Sequence, residues 1–255
     1  MLRLALDTGP GPIGVRSAAE ALDIAPSTAH ALISSLVSCG YLRRSGDGGR
    51  RSAIEKTGYV LGYEFLMLAH KAVGRLPLRD VALPHMRAMV AACNEAAFLN
   101  VYDRDRQEFF AVASVESTHE LRYVIEMHKW KPVYVSAAGW AIMAHLPLAE
   151  RDEICHRTML KPLTPNSITD PTRLEEELLR VRARGYAVSH GQRILGAVGL
   201  SAPIFDPRGQ VVGGVGISLP EFRFQDATES RLSRLLVECA ITITRDIGAG
   251  ITVKA

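Results

Sequence analysis

The chain has 255 residues, 47% of them hydrophobic and 22% charged, with a net charge of +3. That is enough chain for one large domain or two modest ones with an ordinary soluble core, and too little net charge to announce a nucleic-acid partner by itself. Cys39, Cys93, Cys155 and Cys239 are scattered without a C-x-x-C pair, which suits a reducing cytosol and argues against a structural zinc site.

The opening MLRLALDTGPG has too short an apolar run for a signal peptide. No later segment approaches the ~18 apolar residues of a membrane span. A cytoplasmic protein with no membrane partner is expected. Ser17-Ala-Ala-Glu20 reads as a capping box opening a short helix over about 17–23. Ile24 then leads through a tight turn into a second helix from Pro26 to Cys39. Ala29, Leu32, Ile33, Leu36 and Val37 mark its buried face, and Gly40 suits the left-handed residue beyond its end. Its other face carries Ser27, Thr28, His30, Ala31, Ser34, Ser35 and Ser38.

Two strands follow, around Tyr41–Arg44 and Lys56–Val60, joined by a glycine-rich turn. Arg43, Arg44, Arg50 and Arg51 stand there against Asp47 alone, a local excess as large as that of the whole chain. This is the pattern of a winged helix-turn-helix: short polar side chains on a helix approach base edges while wing arginines contact phosphates. The same residues also fit an ordinary helical hairpin with a solvated basic loop.

Phe65, Leu68, Ala69 and Ala72 recur at helical spacing, so a connecting helix is expected over 63–76, with Pro77 opening a second domain. A core helix of one continuous domain fits the same pattern. Beyond it come a helix at about 78–93 and strand candidates at 98–103, 108–116, 121–127 and 132–136. Helices follow at about 137–146, 149–157 and 172–184. Strands at 186–189, 196–205 and 210–218 precede a last helix at about 226–247. Consecutive strands on short connections imply antiparallel pairing, and Asp206-Pro-Arg-Gly209 is a hairpin turn. The class is α+β.

The run APSTAHALISSLVSCGYLRR (25–44) resembles the recognition helix and wing start of IclR-family transcriptional regulators, whose usual form is P-x-S-T-x-H-R-L-L followed by L-x-x-x-G-Y-L. The resemblance continues in order through GYVLGYEFLMLA (58–69), PVYVSAAGWAIMAHLP (132–147), LTPNSITD (163–170), RGYAVSHGQ (184–192) and GAVGLSAPIFDPRGQVVGGVGISLP (196–220). It implies a winged helix-turn-helix over 1–62, a linker helix over 63–76 and a GAF-like effector-binding domain with an antiparallel sheet over 77–255. The implied partners are a double-stranded DNA operator, a small organic or aromatic acid from a catabolic pathway and further copies of the chain, as a dimer or a dimer of dimers. No cofactor is implied.

The candidate DNA contacts are Arg16, Ser17, Ser27, Thr28, His30, Ala31, Ser34, Arg43, Arg44, Arg50 and Arg51. Ala31 stands where the family commonly has arginine, and the first helix is abbreviated to about Leu2–Asp7.

For catalysis the chain offers no G-x-S-x-G elbow, phosphate loop or H-E-x-x-H pair. Ser189 and His190, adjacent on a strand, would point to opposite faces. Ser136 is a plausible N-cap whose following residues, Ala137, Ala138 and Gly139, present first-turn amides behind small side chains, an arrangement that binds carboxylate or phosphate. A capped helix packed into the core fits equally well.

The resemblance places an effector at Ala137, Ala138, Gly139, Ser189, Gln192, Gly199, Gly216 and Ser218. Ser189 and Gln192 stand where aspartate and glutamate are common, Gly216 where serine is frequent, and Trp140 at the lysine of A-x-G-K-A. Fewer carboxylates imply a pocket less repulsive to anions, and the glycines imply more room for a larger or more aromatic acid. His128, Trp130 and Tyr134 are more often core or interface than ligand contacts at such a place. The rival reading is a metabolite-binding protein or enzyme with an incidental helix-turn-helix.

Overall fold

A computed structural model of the chain describes residues 1–9, 11–45, 58–73 and 77–249. It divides into two compact units, Met1–Leu76 and Pro77–Ala255.

The first unit runs α1 (Leu2–Asp7), α2 (Val15–Leu22), α3 (Pro26–Ser38), β1 (Leu42–Arg44), β2 (Tyr59–Leu61) and α4 (Tyr63–Val73). Its core is small: Ala5, Ile13, Ala18, Ile33 and Leu42. β1 and β2 pair antiparallel, and Ile13 exchanges two backbone hydrogen bonds of 2.8 Å with Tyr59, adding a bridge that ties the chain before α2 to the wing. Gly40 follows α3 with φ 71°, a left-handed turn that glycine adopts without strain.

Two expectations need correction here. α2 starts at Val15 with Gly14 as its N-cap, so Ser17 sits one turn in and reaches back: its hydroxyl accepts from the Gly14 amide at 3.2 Å and donates to the Gly14 carbonyl at 3.0 Å. Ser17 therefore takes the N3 position of the box and not the cap. On α3, Ala29 and Ile33 are fully buried, but Leu32 is 45% exposed. At ~100° per residue Leu32 lies ~100° from Ile33, off the edge of a stripe narrower than the apolar pattern suggests.

The second unit is a six-stranded antiparallel sheet in the order β5-β4-β3-β8-β7-β6. The strands are β3 (Ala96–Asp103), β4 (Glu108–Val115), β5 (Lys131–Pro132), β6 (Ala187–His190), β7 (Ala197–Phe205) and β8 (Val211–Pro220). Side chains alternate between its two faces. Leu99, Val112, Val198, Leu200, Val215 and Ile217 pack on one face against Met86 of α5 (Pro77–Cys93) and Leu236 and Ile243 of α9 (Asp226–Gly248). Phe98, Tyr102 and Phe109 pack on the other face, against α6 (Ala137–Met143), α7 (Leu148–Thr158) and α8 (Pro171–Arg184). The hairpin joining β7 to β8 turns at Asp206–Gly209, where the Asp206 carboxylate accepts from the amides of Arg208 and Gln210.

Residues 121–127 and 132–136 are not the strands that their pattern suggests. The alternation is real, with Tyr123, Ile125 and Met127 half-buried between exposed neighbours. Yet this segment makes one bridge, Met127 to Ala111, and passes as a strap over the sheet face. Only Lys131 and Pro132 join the sheet. Val133 to Ser136 turn beneath α6, where the Tyr134 carbonyl accepts from the Trp140 indole at 2.7 Å.

Truncation of α3 separates its core from its exposed positions. Ile33→Ala is expected to destabilise the first unit by about 2–5 kcal/mol in urea unfolding, and Leu32→Ala by no more than about 0.5 kcal/mol.

Candidate functional site: a reader face and a cationic cavity

The first unit presents Ser27, Thr28, His30, Ala31 and Ser34 on the exposed side of α3, with Arg16 and Ser17 exposed at the start of α2. These side chains are short and polar or apolar, and only Arg16 carries a fixed charge. Arg44 is exposed on β1. Arg43 is half-buried, its guanidinium 5.2 Å from the centre of the Tyr63 ring. Arg43 is thereby tied to α4 by a cation–π contact, which costs it reach toward a phosphate. Arg50 and Arg51 lie outside the described residues.

In the second unit a cavity of about 60 Å³ opens on the sheet face that carries α6. Ala137, Ala138, Ser189, Gln192, Gly199 and Ser218 all line it. The register explains the grouping: Ser189 pairs with Gly199 and Gly199 with Ser218, so a single row across β6, β7 and β8 reaches the cavity floor. His190, the next residue on β6, is exposed and packs against the Phe224 ring, which leaves Ser189 without a base from its neighbour.

Gly139 and Gly216 do not line the cavity. A Cβ on Gly139 would lie 2.1 Å from the Val133 carbonyl oxygen, so this glycine lets α6 seat closely on the preceding turn. At Gly216 a Cβ would lie 2.2 Å from the Phe98 ring. The room that Gly216 leaves is therefore occupied by Phe98, which itself lines the cavity. His128, Trp130 and Tyr134 stay out of the lining: Trp130 packs edge-on against Phe110, and the Tyr134 hydroxyl donates to the Lys161 carbonyl at 3.2 Å.

The charged residues of the cavity are Lys131 and Arg193, which the sequence reading did not single out. No acidic side chain lines it among the described residues. Burial, and then repulsion by Arg193, push the Lys131 ammonium down to about 8, against the pull of Glu126. Burial likewise holds Arg193 below its ordinary range. Arginine keeps its charge through such a shift. Asn100 Nδ2 and Gln192 Oε1 are buried there with no partner among the described residues. Buried polar groups of that kind are costly unless something meets them.

Two segments frame this chemistry. The loop after β6 is fastened from outside by the 163–167 turn: Thr164 donates to the Gly191 carbonyl at 2.7 Å, Ser167 to that of Gln192 at 2.8 Å, and Asn166 to that of His190 at 3.2 Å. The strap carrying Ile125 is pinned at its near end, where Arg223 donates to the Leu121 carbonyl and grips Glu95 through two bonds of 2.8 and 2.7 Å. Among the described residues no cluster of His, Cys, Asp or Glu converges as a metal site requires, and no described helix is long and apolar enough to cross a membrane.

Comparison with known proteins places both units. Residues 4–46 match the family model described as the IclR helix-turn-helix domain, and residues 70–245 match that of the bacterial transcriptional regulator IclR C-terminal. The glycerol operon regulatory protein of Streptomyces griseus is 31% identical, over 98% of this chain and 94% of its own. The DNA-binding transcriptional repressor YiaJ of Escherichia coli is 29% identical over 97% of this chain and 86% of its own. Among solved structures, the Thermotoga maritima IclR superposes with a TM-score of 0.74 at 30% identity, covering 97% of each chain. An IclR homologue from Microbacterium hydrocarbonoxydans, solved with 4-hydroxybenzoate, shares the fold with a TM-score of 0.79 at 24% identity, covering 97% of this chain and 98% of its own. The chain belongs to the IclR family and is a DNA-binding transcriptional regulator with an IclR effector domain.

Proposed function

We propose that the protein binds an operator as a dimer or a dimer of dimers and that a small carboxylate, held in the cavity of the second unit, controls that binding. The observation that carries the ligand reading is the pair Lys131 and Arg193 in a cavity whose lining includes no acidic side chain among the described residues. Cations taken out of water need an anion nearby. The first-turn amides of α6, at Ala137 and Ala138, form one wall and add donors of the same polarity. Ser189, Gln192, Gly199 and Ser218 supply neutral polar contacts and room along the floor.

At about 60 Å³ the cavity is smaller than the ~150 Å³ that accommodates benzene. It suits an acid of two to four carbons as it stands. An aromatic acid requires Ile125 and Ile194, or the Phe98 ring, to move outward.

The DNA reading rests on the exposed face of α3. Ser27, Thr28, His30, Ala31 and Ser34 lie nearest the bases in this proposal, Ala31 against a thymine methyl, while Arg16, Ser17, Arg44, Arg50 and Arg51 supply backbone contacts and Arg43, held against Tyr63, contributes less. Base reading without the family's usual arginine implies a different operator sequence.

Titration against the intergenic DNA beside its own gene is expected to show specific retention over random duplex; equal retention of the two contradicts the proposal. Arg44→Ala is expected to flatten the slope of log affinity against log salt by about 0.9 for each protomer on the DNA, about 1.8 for a dimer, and His30→Ala to change sequence preference while leaving the slope in place.

The ligand reading has a pH signature. The charged groups facing the Lys131 ammonium are Glu126, Arg193 and Lys129. With its pKa held at about 8, Lys131 loses its proton as pH rises past that value, and carboxylate affinity is expected to be flat below pH 7 and to fall above 8. An isosteric amide should show no such fall. Calorimetric titration across that range distinguishes the two, and a carboxylate affinity that stays level to pH 9.5 removes Lys131 from the site.

A further inference from the structure

Glu126 stands on the strap at the rim of the cavity, with its side chain 46% exposed. Its carboxylate meets Lys129 outside at 2.7 Å, Lys131 at 3.6 Å and Arg193 at 3.9 Å. Contact with the inner cations is thus electrostatic and too long for a hydrogen bond. Lys131 spends one of its three donors on the Glu126 backbone carbonyl at 3.1 Å. Arg193 has Glu126 as its only ionic partner among the described residues. Two cations, each with donors to spare, therefore share one half-solvated carboxylate that is also held from outside by a third cation.

We propose that Glu126 is a built-in counter-ion that a carboxylate ligand displaces, so that occupancy of the cavity is read out as release of the strap. This rests on the reading of the cavity as an anion site and adds how occupancy is signalled. A ligand carboxylate has the two oxygens needed to meet Lys131 and Arg193 at hydrogen-bonding distance. Once it does, the Glu126 carboxylate retains only Lys129, which lies outside and just beyond the strap. The near end of the strap stays fixed through Arg223 and Glu95, so the movement is confined to the segment around Tyr123 to Met127.

The test uses the full chain with acetate, pyruvate, benzoate and 4-hydroxybenzoate as sodium salts, each against its amide and at constant ionic strength. Glu126→Gln is expected to raise the affinity for whichever of these binds by about fivefold, the upper end for a partly exposed ion pair. Lys131→Met is expected to weaken binding in both backgrounds. Removing a nearby negative charge raises anion affinity even without displacement, so hydrogen exchange supplies the second readout. Saturating the wild-type protein with the carboxylate should speed exchange of the amides at 123–127, and Glu126→Gln should show that fast exchange before ligand is added.

Unchanged or slower exchange at 123–127 on binding, or affinity unaltered by Glu126→Gln, overturns the displacement while Lys131→Met still reports the anion site. If none of the four carboxylates binds either the wild-type protein or Glu126→Gln, the anion reading and the displacement fall together.

Discussion

Two cations sit in a cavity that water only partly reaches, and the second unit is arranged around that constraint. Lys131 and Arg193 repel each other, and burial presses both toward losing charge. Such a pair is tolerable only where the surroundings hold it in place and an anion stands near. The fold meets the first condition by putting Lys131 on β5, the edge strand, against Phe109. Arg193 lies on a loop whose carbonyls are fastened by Thr164, Asn166 and Ser167. Glu126 meets the second condition incompletely, at 3.6 and 3.9 Å. What is incompletely met within the protein is what a ligand can complete.

The neutral parts of the site follow from close packing. α6 approaches the turn before it because Gly139 has no side chain to hold it off, and that approach brings Ala137 and Ala138 to the wall. Gly216 lets the Phe98 ring come close against β8, where it lines the cavity. A glycine in a strand that looks like spare volume can thus be volume already taken by a neighbour across the ladder. The difference matters for ligand size, because it leaves space for a few atoms where the sequence suggested a larger acid.

Much of the architecture was legible from periodicity and turn chemistry. The α3 helix, bounded by Pro26 and Gly40, and the Asp206–Gly209 hairpin are local signals, and local signals survive folding. The strap imitates a strand for a physical reason: alternation of half-buried and exposed residues reports that a segment lies on a surface, and says nothing of whether its backbone has a partner. Val133 to Ser136 are buried by α6 above them, and apolar burial of that kind imitates a strand.

In the site, the small residues were legible because their motif travels with the fold. Lys131 and Arg193 were not, because HKWKPV and GQRILG carry basic residues as any surface segment does. Only the pairing of β5 with β4 and the fastening of the 191–194 loop bring them together, and neither is a local property. Arg43 shows the converse: legible as a wing cation, it turns out to lie against Tyr63.

The most direct measurement is the titration of the Lys131 side chain itself, followed by NMR on protein carrying labelled lysine and assigned through Lys131→Arg. A strained, incompletely partnered cation titrates near pH 8 in the free protein, and its pKa moves upward when a carboxylate fills the cavity. A Lys131 that titrates with the solvated lysines at ~10.4, with or without ligand, contradicts the buried cation pair on which the proposed sensing mechanism depends.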